Sequence, residues 1–418
     1  MIPFSPHQWA IIEQAVGIAQ ARGWQIYAVG GIVRDALLGN QQPPTDIDLV
    51  VAGGANGALV VARELRNQTA PWKFVEYAKF QTAELRWADF TLDLTTARTE
   101  VYPYPGANPI VTPASLAEDL YRRDFTVNAL AVELLGDGQV GAVVDLFDGL
   151  GDLHRKVIRA IKVGSFAEDP RRIFRGVRFA VRLGFTLAQA TQTEIQSVCA
   201  SGLHDRCGGS RLRAELIYIL KEGNFSKIAE ICTLLQDLGA WRCVDPHWQL
   251  QPNFIQQLRR LKHWWYWFGR ELDYFLLGLA VLLWQAKVDT LENLDMSILE
   301  LKRIHQAQGL VADLPALQYK RVSEIYDRFS AEELGTIILA GAITGDPNVW
   351  RYLTRWRHIK PLLTGTDLVG LGYPRGKQLG QLLHSIHAAT LDGIISSKED
   401  AIVFAKGHWY ADNSTQRL

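Results

Sequence analysis

Two aspartates one residue apart, Asp46 and Asp48 in the run DIDLVV, have the spacing that most directly implies chemistry. On a strand, residues two apart point to one face, so both carboxylates stand side by side while Ile47 and Leu49 turn to the core. Adjacent like charges repel. A divalent cation between and beside them relieves that repulsion, and an all-oxygen donor set favours Mg²⁺ or Mn²⁺. Asp93, in the later run FTLDL, is a candidate third carboxylate for the same face. Upstream, YAVGGIVRDALLG (Tyr27 to Gly39) reads as a strand, then Gly30 and Gly31, then a helix. Backbone N–H groups there converge on a spot able to hold phosphate, with Gly31 at the turn and Arg34 one turn in as a bidentate donor. A Gly-Gly pair also serves a plain strand-to-helix turn. Joined to the carboxylate pair, it forms the apparatus for nucleotidyl or phosphoryl transfer.

These residues need a small sheet to hold them. Strands are predicted at WQIYAVGG, DIDLVVA, KFVEY, TAELRWADFTLDLTTA, ALAVELL and VVDLF, with helices at Ser5 to Arg22 and around Ile32 to Leu38. Gly53, Gly54 and Gly57 read as the turn after the DID strand, and the Pro-rich stretch Tyr102 to Pro113 as a loop with several turns. From about Asp152 the β-branched alternation stops and helix-period segments follow one another. The expected class is α+β, with a head at 1–150, a short helical domain at 151–222 and a helical remainder at 223–418.

Composition narrows the possibilities. The 418 residues are 48% hydrophobic and 21% charged, which excludes disorder and fibrous folds. Equal numbers of basic and acidic residues, 44 each, mean that any nucleic-acid surface is a local patch. Between Asp152 and Gly184 nine basic residues face three acids, and this excess is the predicted patch. Cys199, Cys207, Cys232 and Cys243 lack metal-site spacing and read as reduced thiols. No export signal is expected. The apolar run Tyr274 to Ala286 is too short to span a bilayer, so no membrane partner is expected. The aromatic cluster Trp264 to Phe268 reads as helix core, and the His204–Asp205 dipeptide as structural.

The order of motifs resembles one family. GG-x-V-R-D-x-L-L-G followed by D-I-D, then RRDFTVNALA (Arg122 to Ala131), DLFDGLGDLHRKVIRAI, EDPRRIFRGVRFAVRLGF and SRLRAEL, is similar to the bacterial class II CCA-adding tRNA nucleotidyltransferases and poly(A) polymerases. The tail from Thr364 to Ala401 is similar to that family's RNA-binding region. The resemblance implies a small mixed-sheet nucleotidyltransferase head followed by an all-α neck, body and tail. It implies a cytoplasmic, Mg²⁺-dependent enzyme that adds CMP, AMP or both from CTP and ATP to the tRNA 3′ end. Asp46 and Asp48 would be metal ligands, and Gly31 and Arg34 would bind the triphosphate. Arg123 would contact phosphates or ribose, Asp124 and Asn128 would shape the ribose site, and Arg172, Arg175 and Arg178 would complete the nucleotide pocket.

Asp169 has two expected roles, helix cap and partner of Arg172 in reading the base. Side by side, an acceptor-only carboxylate and a donor-only guanidinium match the amino and ring-nitrogen edge shared by cytosine and adenine. Poly(A) polymerase activity and a catalytically silent RNA-binding protein are the alternatives.

Overall fold

The computed structural model describes residues 2–104, 108–202 and 209–415, with side chains described to His408. His204, Asp205 and Cys207 lie outside the described residues. The chain divides into two compact units, Met1–Gln249 and Leu250–Leu418.

Unit one opens with α1 (Pro6–Gln20), started by a Ser5–Gln8 capping box in which each residue serves the other's backbone N–H. The strands are β1 (Gln25–Val29), β2 (Asp46–Ala52), β3 (Lys73–Tyr77), β4 (Thr82–Arg86), β5 (Thr91–Thr96), β6 (Arg98–Val101), β7 (Ile110–Pro113), β8 (Leu130–Gly136) and β9 (Gln139–Asp145). Seven of them form one mixed sheet in the order β3-β4-β5-β2-β1-β8-β9. Only the β2–β5 pairing within it is parallel. The short α2 (Gly31–Leu37) links β1 to β2, and α3 (Gly57–Thr69) follows β2. Ile47, Leu49 and Val51 are buried, and α1 and α3 pack together on the sheet. Asp46, Asp48 and Val50 alternate to the other face, where Val50 joins Tyr27, Val29 and Leu120 in a smaller apolar cluster.

Two local readings change. Gly57 begins α3, a helix the sequence reading missed, and a Cβ on Gly54 would come within 2.6 Å of the Trp24 ring packed over the turn. The Pro-rich stretch is partly strand, because β7 pairs with β6 in a two-stranded sheet, where Pro113 at the end of β7 removes only a peripheral donor.

After α4 (Leu116–Tyr121), unit one continues through α5 (Gly149–Arg155), α6 (Ser165–Glu168), α7 (Arg171–Leu183), α8 (Gln189–Ala200), α9 (Gly209–Leu220) and α10 (Phe225–Asp237). A pair of two-residue parallel strands, Val157–Ile158 and Thr186–Leu187, interrupts the otherwise helical run. On α7, Ile173, Phe174, Val177 and Ala180 form the buried stripe. Cys199, Cys232 and Cys243 are buried.

Unit two is helical. The predicted aromatic core splits on its helix, α11 (Phe254–Phe268): Trp264 is buried, but Tyr266 and Trp267 are 53% and 63% exposed. Successive helical residues turn by 100°, so five consecutive aromatics cannot share one face. The apolar run after it forms α12 (Tyr274–Leu282), buried from Leu277 onward. Among the described residues no helix is long and apolar enough to cross a membrane.

Candidate active site

The β2–β5 register brings the three predicted carboxylates onto one sheet face. Asp48 pairs across the ladder with Asp93, which pairs in turn with Glu84 on β4, while Asp46 stands opposite Thr91. Loss of water around its carboxyl, followed by the charges of Asp48, Glu84 and Asp46, pushes Asp93 up to about 7. Desolvation and the neighbouring Asp46 also raise Asp48, against the pull of Arg123 and Arg175. This is a site short of positive charge. The donors are oxygens on adjacent strands, and a hard divalent cation bound through one or two carboxylates and completed by water and phosphate fits them. Among the described residues, no three His, Cys, Asp or Glu side chains close around one point. Glu84, which the sequence reading missed, is held by Arg86 and Lys73.

Next to Asp48 opens a cavity of about 460 Å³ lined by Gly30, Gly31, Arg34, Arg122, Arg123, Asp124, Asn128, Asp169, Arg172 and Arg175 among others. Gly30 adopts φ +72°, and a Cβ there would sit 3.2 Å from the Arg123 guanidinium, so glycine lets the turn and the arginine share the wall. Arg34 is buried and already engaged, with Nη1 donating to Asn128 Oδ1 at 2.6 Å and Nε donating to Asp35 at 2.8 Å. Asn128 donates in turn to Asp124 Oδ1 at 3.1 Å, and Arg175 donates to Asp124 Oδ2 at 2.9 Å. Burial opposes the charge on Asp124, yet Arg175 and the Asn128 hydrogen bond hold its carboxyl below the usual range. The Nε of Arg123 is buried without a partner, a donor facing no protein acceptor in an arginine-lined wall.

Asp119 on α4 anchors this wall and was not foreseen. Its side chain is fully buried and accepts from Arg122 Nη2 at 2.7 Å and from Arg123 Nη2 at 3.1 Å. Burial works against its charge, but Arg122 and Arg123 hold its pKa below the ordinary value. A depressed carboxylate contributes stability above its unfolded pKa and loses it as pH falls through the folded one. Asp119→Ala takes from Arg123 its carboxylate partner and leaves Arg122 with Glu100 alone, at a cost of about 3–5 kcal/mol. Thermal denaturation at pH 7 and pH 3 checks this: the gap between variant and parent is expected to be wide at pH 7 and to shrink toward pH 3.

The predicted basic patch is mostly neutralised inside the fold. Arg155 and Arg159 pair with Asp152, Lys162 with Glu168, and Arg182 with Glu222. Arg178 does not line the cavity; it is buried between Glu215 and Glu222. Two of the compensating acids, Glu215 on α9 and Glu222 two residues beyond its end, lie outside the basic window, so a local charge count could not reveal them. Arg171, Arg172 and Arg175 do reach the cavity.

Asp169 and Arg172 line the same cavity but do not share a helix, because Asp169 sits at φ −140° after α6 and α7 begins at Arg171. Asp169 accepts from Arg171 Nε at 2.7 Å, pairs also with Arg171 Nη2, and accepts from the Arg171 backbone N–H at 3.2 Å. Arg172 donates to Ser165 Oγ at 2.5 Å and to the Arg122 carbonyl at 2.9 Å. Glu100 on β6, another residue the sequence reading missed, also lines the cavity and pairs with Arg98 and Arg122.

Comparison with known proteins gives a consistent picture. Residues 26–159 match the family model of the poly A polymerase head domain. The chain is 34% identical over 403 residues to an A-adding tRNA nucleotidyltransferase of Geobacter sulfurreducens, covering 91% of this chain and 44% of that protein. It is 29% identical over 399 residues to an A-adding tRNA nucleotidyltransferase of Halalkalibacterium halodurans, covering 91% and 88%. The Thermotoga maritima CCA-adding enzyme, solved in complex with tRNA_CCA, superimposes with a TM-score of 0.75 over 97% of both chains at 25% identity. The chain thus spans less than half the length of the Geobacter relative.

Proposed function

We propose, from the premise that the chain belongs to the class II CCA-adding enzyme family, that it is a template-independent nucleotidyltransferase adding CMP, AMP or both to the tRNA 3′ end. The observation that carries this reading is the cavity in which Asp48 meets Arg34, Arg122, Arg123, Arg171, Arg172 and Arg175. A carboxylate pair beside a wall of guanidiniums suits a triphosphate whose α-phosphorus lies at the carboxylates. The tRNA 3′-hydroxyl attacks that phosphorus and pyrophosphate leaves. Arg123, which lines the cavity, binds phosphate, while Asp124 and Asn128, locked by Arg175 and Arg34, present acceptor and amide groups to the ribose hydroxyls. The family uses divalent metal ions, and Asp46 and Asp48 would hold Mg²⁺ or Mn²⁺, which supplies charge stabilisation at the phosphoryl group and a more acidic attacking hydroxyl. We place the activity in the cytoplasm, in keeping with a tRNA substrate.

The deciding experiment incubates the protein with tRNA lacking CCA, tRNA ending in C, tRNA ending in CC, and oligo(A), each with single labelled nucleotides. Extension of tRNA ends supports the reading and separates C, A and CCA addition. Extension of oligo(A) in preference points to a poly(A) polymerase, and binding without extension to a silent RNA-binding protein.

Unit two would grip the tRNA by phosphate contacts. Arg355 and Lys360, in a segment without acids, are exposed at the end of the helix Pro347–Thr354, whereas Arg357 lies over the Phe268 ring at 5.4 Å. Arg355→Glu with Lys360→Glu is expected to weaken tRNA binding and to lower the slope of log affinity against log salt by about one per lost contact. Filter binding at several salt concentrations measures it, and an unchanged slope removes these residues from the interface.

A further inference from the structure

We infer that the outward face of α11 in unit two stacks an unpaired nucleobase of the RNA substrate between phosphate contacts, an inference that rests on the RNA substrate proposed above. The contact differs in kind from a grip by phosphates alone, because aromatic rings carry it.

α11 has two faces. Phe254, Leu258, Leu261 and Trp264 are buried, and the helix packs on α12 and on the helix Leu334–Thr344. Arg259, Lys262, His263, Tyr266 and Trp267 are exposed. At about 100° per residue these five fall within an arc of roughly 140°, so they form one stripe rising about 12 Å along the helix. No acid occurs in the sequence between Asp245 and Glu271, so the stripe interleaves basic and aromatic side chains.

The aromatics of α11 divide by task. Trp265 Nε1 donates to the Leu272 carbonyl at 2.7 Å, and the rings of His263 and Phe268 each lie 5.5 Å from that of Trp350. Tyr266 and Trp267 meet edge to face, 5.7 Å apart at 89°, and both stay more than half exposed. Arg270 folds back from beyond the helix end. Its Nε donates to the Tyr266 carbonyl at 3.0 Å, and its guanidinium lies 4.0 Å from the centre of the Tyr266 ring. The arginine thus steadies the ring and sets a cation beside it.

This combination selects the partner. Two large rings held in water gain by covering their apolar surface, and a flat base beside a phosphate meets ring and cation together. A paired stem presents only base edges and backbone, so the stacking partner is an unpaired base. Helices that lie on membranes place aromatic and basic residues on opposite faces. On α11 they share one face, which suits a nucleotide and not a lipid layer.

Filter binding of tRNA lacking CCA and of a blunt-ended RNA duplex, each at several salt concentrations, tests the inference. Tyr266→Ala and Trp267→Ala are each expected to weaken tRNA binding by roughly 5- to 100-fold, the range of one stacked base. The slope of log affinity against log salt, duplex binding and melting temperature should stay at the parent's values, and Trp267→Phe should retain most of the affinity. Lys262→Ala is expected instead to lower the slope by about 0.7–0.9, one phosphate contact. Equal losses on tRNA and duplex, or a lowered slope in the aromatic variants, would reduce the face to a phosphate contact and overturn the stacking. Unchanged RNA affinity overturns it as well, and a simultaneous change of oligomeric state by light scattering would make the face a protein interface. Failure of the unaltered protein to extend any acceptor, with the binding differences present, overturns the proposed transfer and supports the stacking contact. A parent that binds no RNA overturns both.

Discussion

Asp46→Ala and Asp48→Ala are each expected to abolish nucleotide addition, a loss of about three decades or more, because the charge stabilisation held at this pair supplies several kcal/mol of the barrier reduction. The structure sharpens why neither carboxylate substitutes for the other. Asp48 borders the arginine-lined cavity, whereas Asp46 borders only a smaller hollow of about 340 Å³ beside it, and Thr45 Oγ1 donates to Asp46 at 3.2 Å. tRNA affinity should remain close to that of the parent, because the proposed grip lies on phosphate contacts elsewhere. Single-turnover transfer assays beside filter binding measure the two quantities separately. Near-parental turnover in either variant would falsify the carboxylate assignment. Asp93→Ala is expected to lose less: Asp93 reaches the same face through the β5 register but does not border the arginine-lined cavity.

What the sequence made legible was the local order of elements. A two-residue alternation locates β2 and its outward carboxylates from Asp46 to Ala52, and a Gly-Gly turn after an apolar strand locates the start of α2. The class, α+β with a helical remainder, follows from where that alternation stops. Charge partners were not legible, because they are chosen by the fold. Arg178 looks like a pocket residue on helical spacing, yet Glu215 and Glu222 from α9 and its end draw it into a buried cluster. Arg34 looks like an open phosphate donor, yet it is spent partly on Asn128, 94 residues away. Asp119 and Glu100 gave no signal, since a lone acid on a short helix or strand has no periodicity to mark it. Only the meeting of α4 and β6 with Arg122 turns them into supports of the cavity.

Arg172→Ala is expected to cost both rate and selectivity, admitting UTP and GTP relative to CTP and ATP. Discrimination without a nucleic-acid template needs a fixed pattern of donors and acceptors, and the geometry here restrains both members of the pair. Arg172 is buried, with Nη1 held by Ser165 and Nη2 by the Arg122 carbonyl, so its guanidinium is fixed with further N–H groups still to give. Asp169 is buried and tethered by Arg171, and a carboxylate with about four acceptor positions keeps capacity after those bonds. Its service to the Arg171 backbone N–H and its service to a base are therefore compatible. Cytosine offers its amino group beside N3, and adenine its amino group beside N1, both matching carboxylate beside guanidinium. Uracil and guanine set a carbonyl against the carboxylate and a ring N–H against the guanidinium. Two mismatched buried groups at roughly 1–3 kcal/mol each yield about two decades of preference or more. Without Arg172 that preference is expected to fall by about half on the logarithmic scale, to roughly one decade, since only the carboxylate contact then discriminates. Ser165→Ala, which loosens the guanidinium without removing it, is expected to give a smaller loss in the same direction. Competition among the four triphosphates decides the matter: an unaltered preference in the Arg172 variant would mean that the base is read elsewhere and that Asp169 serves only to start α7.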